Sequence, residues 1–480
     1  MVEHSLNLKE HLSYGEYTLK DGVFFVPGAL RGALYDINSG RVYSINKSGC
    51  DILAGTSENV DYWEKLISLG LVTKEKCERK SVLPELLQDP FLQFVWFEII
   101  PGDCNESCVH CYADSMPSSY RKAMGISASS FVPVEQGINV KKEVKKISFE
   151  KWKELITDSY SLGCRRCQFI GGEITLYRGE NGETVFDLAE HAKNVGIEFI
   201  EIFTNGTTLT KEKIQRIKTL GLNVAISLYS CDEKTHDLIT KTPGSFRKTI
   251  KSLELLKGNN IPTRVETVLM KPNEETIKET QKFVEEMGFS HRQPDVLRQK
   301  GRGDNPTLMP SGKFVVEYSL MTSPSFVVDK DIFSRNVSGN SCLMGKLTIT
   351  DNGDILPCIF SRNLAVGNVF SSSLQEVVVG KKLETIWRDT KDNVLVCKDC
   401  EYRYGCFDCR PLSEGTNQGK AKYLTAPYPR CTYNPYRGEW AKGVWRVDES
   451  GKPYYDEKLR PIIEEIVAQG KIESIQIVEQ

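Results

Sequence analysis

The 480-residue chain has no basic excess. Its 62 Lys and Arg are balanced by 64 Asp and Glu, and a net charge of -2 offers nothing to track a phosphate backbone, so no nucleic-acid partner is expected. It has no run of about 18 apolar residues that would span a bilayer. Its opening residues, MVEHSLNLKEHLSYGEYTLKDG, are polar where a secretory signal is apolar. Neither a membrane partner nor export is expected, and the chain is read as cytoplasmic. There is also no internal repeat and no low-complexity tract. With 40% hydrophobic and 26% charged residues, the composition is that of a folded globular protein, long enough for about three domains.

What the chain does have is cysteine, fifteen in all. Cytosolic thiols are kept reduced, so this number points to metal or redox chemistry rather than to a disulfide framework. Cys104, Cys108 and Cys111 form one group, and Cys342, Cys358, Cys397, Cys400, Cys406, Cys409 and Cys431 crowd the last third. The others are scattered. Cys164 and Cys167 make a CxxC at the start of a predicted strand, where no helix N-terminus is expected to activate a redox pair, so they are read as packing. Cys50, Cys77 and Cys231 are read as small hydrophobes or incidental thiols.

Residues 1–75 contain short β-like runs, YTLKDGVFFVP, GALYDIN and GRVYSIN, separated by turn signals. Helices are predicted around Lys47 to Leu53 and Val60 to Leu69, with Gly70 as a C-cap and LVTKE as a closing strand. The pattern suggests a winged-helix-like module. Residues 76–90 look like a linker. Over 91–297, apolar runs (FVWFEII, CQFIGG, IEFIEIFTNG, NVAISLY, TRVETVLM and a weaker one near Phe289) alternate with amphipathic stretches, which predicts parallel βα units. Six such units make an α/β fold, a partial (β/α)6 barrel with its chemistry at the C-terminal strand ends. A bridging region, 298–340, leads to a cysteine-rich domain, 341–433, and an extension, 434–480.

The segment CNESCVHCYA sets Cys104, Cys108 and Cys111 directly after the first barrel strand. Three thiolates so spaced can hold three corners of a four-iron four-sulfur cluster and leave one iron open. Zinc, which takes four ligands, fits poorly. The CxxxCxxC spacing resembles the radical S-adenosylmethionine (SAM) superfamily. The resemblance implies that SAM chelates the open iron and is cleaved to a 5'-deoxyadenosyl radical. It implies further that Gly171, Gly172 and Glu173 match the family's GGE motif, which receives the SAM amino group, although Ile174 stands where a proline is usual. Ser227, in ISLY, matches the polar residue that contacts the ribose or carboxylate of SAM. His110 is read either as a neighbour of the cluster or as a loop-packing residue.

The seven C-terminal cysteines, with Gly353 between Cys342 and Cys358, resemble the SPASM domain of peptide-modifying radical SAM enzymes, departing from its pattern only in the two-residue spacing before Cys409. The resemblance implies two auxiliary clusters, hence three four-iron clusters in all. Cys397, Cys400, Cys406 and Cys431 would fill one. Cys342, Cys358 and Cys409 would serve the other, whose fourth position is left to a substrate thiolate or another ligand. A winged-helix-like module ahead of such an enzyme resembles a PqqD-like recognition element for peptide leaders, which implies capture of an extended leader by strand addition; DNA binding is the competing reading.

Together these imply a maturase of a ribosomally made precursor peptide, driven by a flavodoxin- or ferredoxin-like electron donor and forming a thioether or carbon-carbon crosslink. Epimerisation, backbone excision and quinone-cofactor precursor crosslinking remain open in the same class, and an iron-sulfur electron carrier or regulator in another. A sulfatase-maturase-like oxidation is disfavoured because Ile359 follows Cys358 where those relatives have aspartate. Leader recognition and chemistry are expected to be separable.

Overall fold

The computed structural model describes residues 6–74, 81–123, 145–291, 293–319, 327–417, 420 and 422–469. Cys77, the start of the 76–90 linker, part of the bridging region and the end of the 434–480 extension lie outside them. The chain divides into two compact units, Met1–Pro90 with Val315–Met344 and Thr385–Gln480, and Phe91–Phe314 with Gly345–Glu384.

The second unit is built on a sheet whose strands are β1 Phe94–Ile100, β2 Arg166–Gly171, β3 Phe199–Thr204, β4 Asn223–Ser227, β5 Thr263–Glu266 and β6 Ser290–His291, parallel and adjacent in sequence order. Helices Phe149–Ser161, Val185–Val195, Lys211–Leu220 and Ser245–Gly258 connect them where the periodicity predicts. Local chemistry marks several of their ends. Ser148 accepts from the Lys151 amide and Thr210 from that of Lys213, while Gly196 and Gly221 close two helices in the left-handed region. Among the helices not foreseen is Glu233–Thr240, capped by Asp232. The sheet also continues past β1. Strand β7, Lys346–Thr350, pairs parallel to β1 and carries an antiparallel ribbon, Asp354–Leu356 and Gly367–Asn368, so residues 345–384 belong to the barrel's unit.

Alternation along the strands gives the sheet two unlike faces. On the helix side Phe97 stacks on Phe169 at 5.6 Å and meets Trp152 edge-on at 6.1 Å. The other face is charged. Arg264 clasps Glu201 through Nε and Nη2, both at 2.8 Å, Gln168 donates to the same carboxylate, and Arg362 clasps the fully buried Glu98 at 2.6 and 2.7 Å. A lumen lined this way differs from the aliphatic layers that fill a closed barrel.

In the first unit the N-terminal strands form two small sheets, Lys9–Glu10, Val23–Pro27, Gly32–Asp36 and Arg41–Ile45 in one, and Ser13–Tyr14, Tyr17–Leu19 and Val72–Thr73 in the other. Two helices, Lys47–Leu53 and Val60–Ser68, cover one face and enclose a core around Trp63, Leu19 and Leu34. The opposite face is shared. Phe24, Val26 and Tyr35 pack in one core with Phe333, Tyr402, Tyr404 and Tyr433, and Cys400, Cys406 and Cys431 lie against it. Separability is therefore limited by packing: the module has one core of its own and completes a second that belongs to the cysteine-rich region.

Candidate functional site

The loop after β1 carries Cys104, Cys108 and Cys111, and four distant pieces of chain hold it. The amides of Ser107 and Val109 donate to the last carbonyls of helix Glu233–Thr240, those of Thr240 and Ile239, at 3.1 and 2.9 Å. The Glu173 amide donates to Asp103 O at 3.0 Å. Asn205 Nδ2 donates to Asn105 Oδ1 at 2.9 Å and reaches Cys104 Sγ at 3.8 Å. Arg302 donates from its amide to Cys111 O, from Nε to Cys108 O and from Nη2 to Ser115 O, at 3.0, 2.9 and 2.7 Å. The turn bearing Arg302 fits because Gly301, at φ +55°, has no Cβ; one would lie 2.6 Å from the carbonyls of Cys111 and Tyr112.

The sulfurs also receive amide hydrogens, Cys104 from Glu106 at 3.4 Å and Cys111 from Ser115 at 3.3 Å. Burial pushes the Cys108 thiol well above its ordinary range, with Glu106 adding, and burial together with Glu173 does the same to Cys104. Thiols so placed ionise only beside a strongly positive centre, which cluster iron supplies. Burial, then the like charge of Glu173, also pushes the Glu106 carboxyl up to about 8. His110 is half-buried with its ring edge-on to Tyr229 at 4.6 Å.

Of the GGE motif, Gly172 is where β2 and the cysteine loop touch: a Cβ there would stand 1.8 Å from Asp103 O. The Glu173 side chain is fully buried and saturated, accepting from Thr175 N and Oγ1 at 3.2 and 2.7 Å, from Thr204 Oγ1 at 2.7 and 2.9 Å, and from Asn205 N at 2.9 Å. Its carboxylate fastens the ends of β2 and β3 together. Gly171 closes β2, and Ser227 ends β4, its side chain buried. Thr204, Asn205 and Arg302 were missed in the sequence. The TNG turn directly after β3 was the signal for two of them; nothing marked Arg302.

In the first unit Cys397, Cys400, Cys406 and Cys431 come together around a cavity, with Lys391, Arg403, Phe407, Tyr428 and Tyr433 among its other walls. Among the described residues no three His, Cys, Asp or Glu converge closely enough for a single metal ion. Thiols ringing a cavity suit a cluster instead. Burial pushes Cys431 up to about 12 and raises Cys400 and Cys406 as well. The ligand loop is gripped by the N-terminal sheet: Ala29 N donates to Asp399 O at 2.7 Å, Tyr35 Oη to Glu401 O at 3.1 Å, and Arg403 to the carbonyls of Pro27 and Cys400 at 2.9 and 2.7 Å. Cys342 and the buried Cys409 lie in this unit, whereas Cys358, also buried, lies in the other. Cys164 and Cys167 are fully buried beneath the barrel sheet, as packing residues are.

No helix among the described residues is long and apolar enough to cross a membrane. A family model described as the radical SAM superfamily matches residues 99–284, and one described as the SPASM iron-sulfur cluster-binding domain matches 342–401. The antilisterial bacteriocin subtilosin biosynthesis protein AlbA of Bacillus subtilis is 26% identical over 297 residues, 59% of this chain and 59% of that protein. An AdoMet-dependent heme synthase of Methanosarcina barkeri is 23% identical over 373 residues, 72% of this chain and 97% of that protein. In fold, the chain is similar to native anSMEcpe with bound AdoMet and Cp18Cys peptide, at a TM-score of 0.50 and 15% identity over 72% of this chain and 93% of that one. The cysteine loop held at the mouth of a parallel α/β sheet thus lies in a region that matches the radical SAM superfamily, and Cys342, Cys358, Cys397 and Cys400 lie in one that matches the iron-sulfur SPASM domain.

Proposed function

We propose that the protein matures a ribosomally made precursor peptide, forming an intrapeptide crosslink, thioether or carbon-carbon. The observation that carries this reading is the three-thiol loop at the mouth of a barrel with a charged lumen, in a chain that gathers four further thiols around a cavity of their own. Cys104, Cys108 and Cys111 would hold a cluster that supplies the one-electron reduction needed for SAM cleavage and, through it, hydrogen-atom abstraction from the substrate. The chain's own residues hold and orient. Glu173 and Arg302 fasten the loop, Gly171, Gly172 and Ser227 border the SAM position, and Glu98, Gln168, Glu201 and Arg264 offer hydrogen-bonding partners to a polar substrate.

Three clusters are assigned. Cys397, Cys400, Cys406 and Cys431 hold the second; a third, at Cys342, Cys358 and Cys409, rests on the family pattern. The leader is read as binding the N-terminal module, residues 1–75, by strand addition at Arg41–Ile45, an outer strand of its sheet. The bacteriocin-biosynthesis relative supports a peptide substrate. A flavodoxin or ferredoxin is the expected electron donor.

The test is mass spectrometry of the precursor encoded beside the gene, incubated with reconstituted protein, SAM and dithionite. Loss of two hydrogens per crosslink, with 5'-deoxyadenosine formed, is expected. The second reading, haem synthesis, is favoured by the 97% coverage of the methanogen relative. An unchanged peptide alongside conversion of a haem-precursor porphyrin would establish it instead.

A further inference from the structure

Lys391 is buried with its charge unmatched by any carboxylate in contact. It is 8% exposed and lines the four-cysteine cavity, and it also lines a second, smaller cavity beside it, bordered by Cys406, Asp408, Arg403 and Ser341. Its Nζ donates to Phe407 O at 2.7 Å and sits 5.7 Å from the centre of the Tyr428 ring. The carboxylates in reach are committed elsewhere. Asp392 pairs with Arg403 at 2.8 Å and accepts from Tyr404, and Asp408 pairs with Arg410 at 2.5 Å and accepts from the Cys409 amide at 2.7 Å. Among the described residues Lys391 has no ion-pair partner within 4.0 Å.

An ammonium taken out of water without a counter-charge is costly, and such a lysine normally gives up its proton. Here the ammonium lines the same cavity as Cys397, Cys400, Cys406 and Cys431, so the negative charge nearest to it is that of thiolates holding a cluster. A four-iron core held by four thiolates is negative in both of its common oxidation states and more so when reduced. A fixed cation in the same low-dielectric wall favours the reduced form.

We propose that Lys391 is the counter-charge of the cluster held by Cys397, Cys400, Cys406 and Cys431, and that it raises that cluster's reduction potential. This rests on the assignment of those four cysteines as cluster ligands. Lys391 acts here as a positioning residue for charge and touches no substrate.

The experiment is a redox titration followed by electron paramagnetic resonance on Cys104→Ala/Cys108→Ala/Cys111→Ala protein, in which the SAM-site signal is removed. It is run with Lys391 intact, with Lys391→Met and with Lys391→Arg, and iron is counted in each. Lys391→Met is expected to keep its iron and to shift the reduction equilibrium at least tenfold toward the oxidised form, about 59 mV for one electron; Lys391→Arg is expected to stay near the parent. If Lys391→Met fails to hold iron while Lys391→Arg holds it, the requirement for positive charge is upheld by assembly itself. Equal potentials in all three overturn the proposal, as does loss of iron from both variants, which makes the residue one of packing. Absence of auxiliary-cluster signal in the parent overturns the ligand assignment beneath it.

Discussion

The two cysteine nests differ in the charge around them. The Cys104 loop has carboxylates as neighbours, Glu106 buried between two of its cysteines and Glu173 beneath it, and its thiols receive only two amide hydrogens and one side-chain amide. The Cys397 nest also has buried carboxylates, Glu401 and Asp408, but adds buried cations, Lys391 and Arg403 in its wall and Arg410 behind. On the reading proposed above, the difference follows from how each nest is completed. Three thiolates leave a place for a ligand, and SAM brings its own sulfonium charge, so a surrounding of carboxylates is suitable. Four thiolates leave no such place, and the protein must provide the positive charge itself.

The largest effects should come from emptying each nest in turn. Replacing Cys104, Cys108 and Cys111 by Ala should lower iron from about twelve to about eight per chain and reduce 5'-deoxyadenosine formation to background. Dithionite-driven cleavage that continues unchanged would show the open cluster to be elsewhere. Replacing Cys397, Cys400, Cys406 and Cys431 should remove about four irons and leave SAM cleavage in place. Because the N-terminal sheet packs against this ligand loop, the same variant should also become more readily proteolysed before residue 74, a consequence with no counterpart at the Cys104 loop. For the same reason the leader-binding role is better tested by substitution along Arg41–Ile45 than by deleting residues 1–75, which would open the shared core.

Smaller changes sharpen the contrast. Glu173→Gln sets an amide against donors that now meet a carboxylate, leaving some of them unsatisfied. It should cost about 1–3 kcal/mol of stability in thermal unfolding and slow SAM cleavage about tenfold while iron is retained. A carboxylate that served only as charge would not disturb the melting temperature this way. The smallest effect expected is that of Tyr35→Phe, which removes one hydrogen bond to Glu401 O. It should lower stability by about 0.5–1.5 kcal/mol, seen as faster iron loss on warming, with SAM cleavage unchanged.

Much of the barrel was readable because each strand and helix declares itself within about ten residues. Lys211–Leu220 and Ser245–Gly258 appear where the amphipathic periodicity puts them. Glu233–Thr240 escaped because two turns carry too little pattern, yet its last carbonyls hold the cysteine loop. Strand β7 escaped for another reason. Its pairing partner β1 lies some 250 residues earlier, and nothing within KLTIT tells which sheet it will join.

The cysteine spacings, the turn glycines and the alternation of strand with helix are local, covalent facts, and from them follow the kind of cofactor and the class of fold. Which groups surround the thiols is decided by packing. Lys391 stands six residues before Cys397, as unremarkable in sequence as any other lysine; only burial, and the engagement of Asp392 with Arg403 and of Asp408 with Arg410, leaves its charge to the thiolates. Charge pairing depends on distance and on exclusion of water, and the chain acquires both only when it folds.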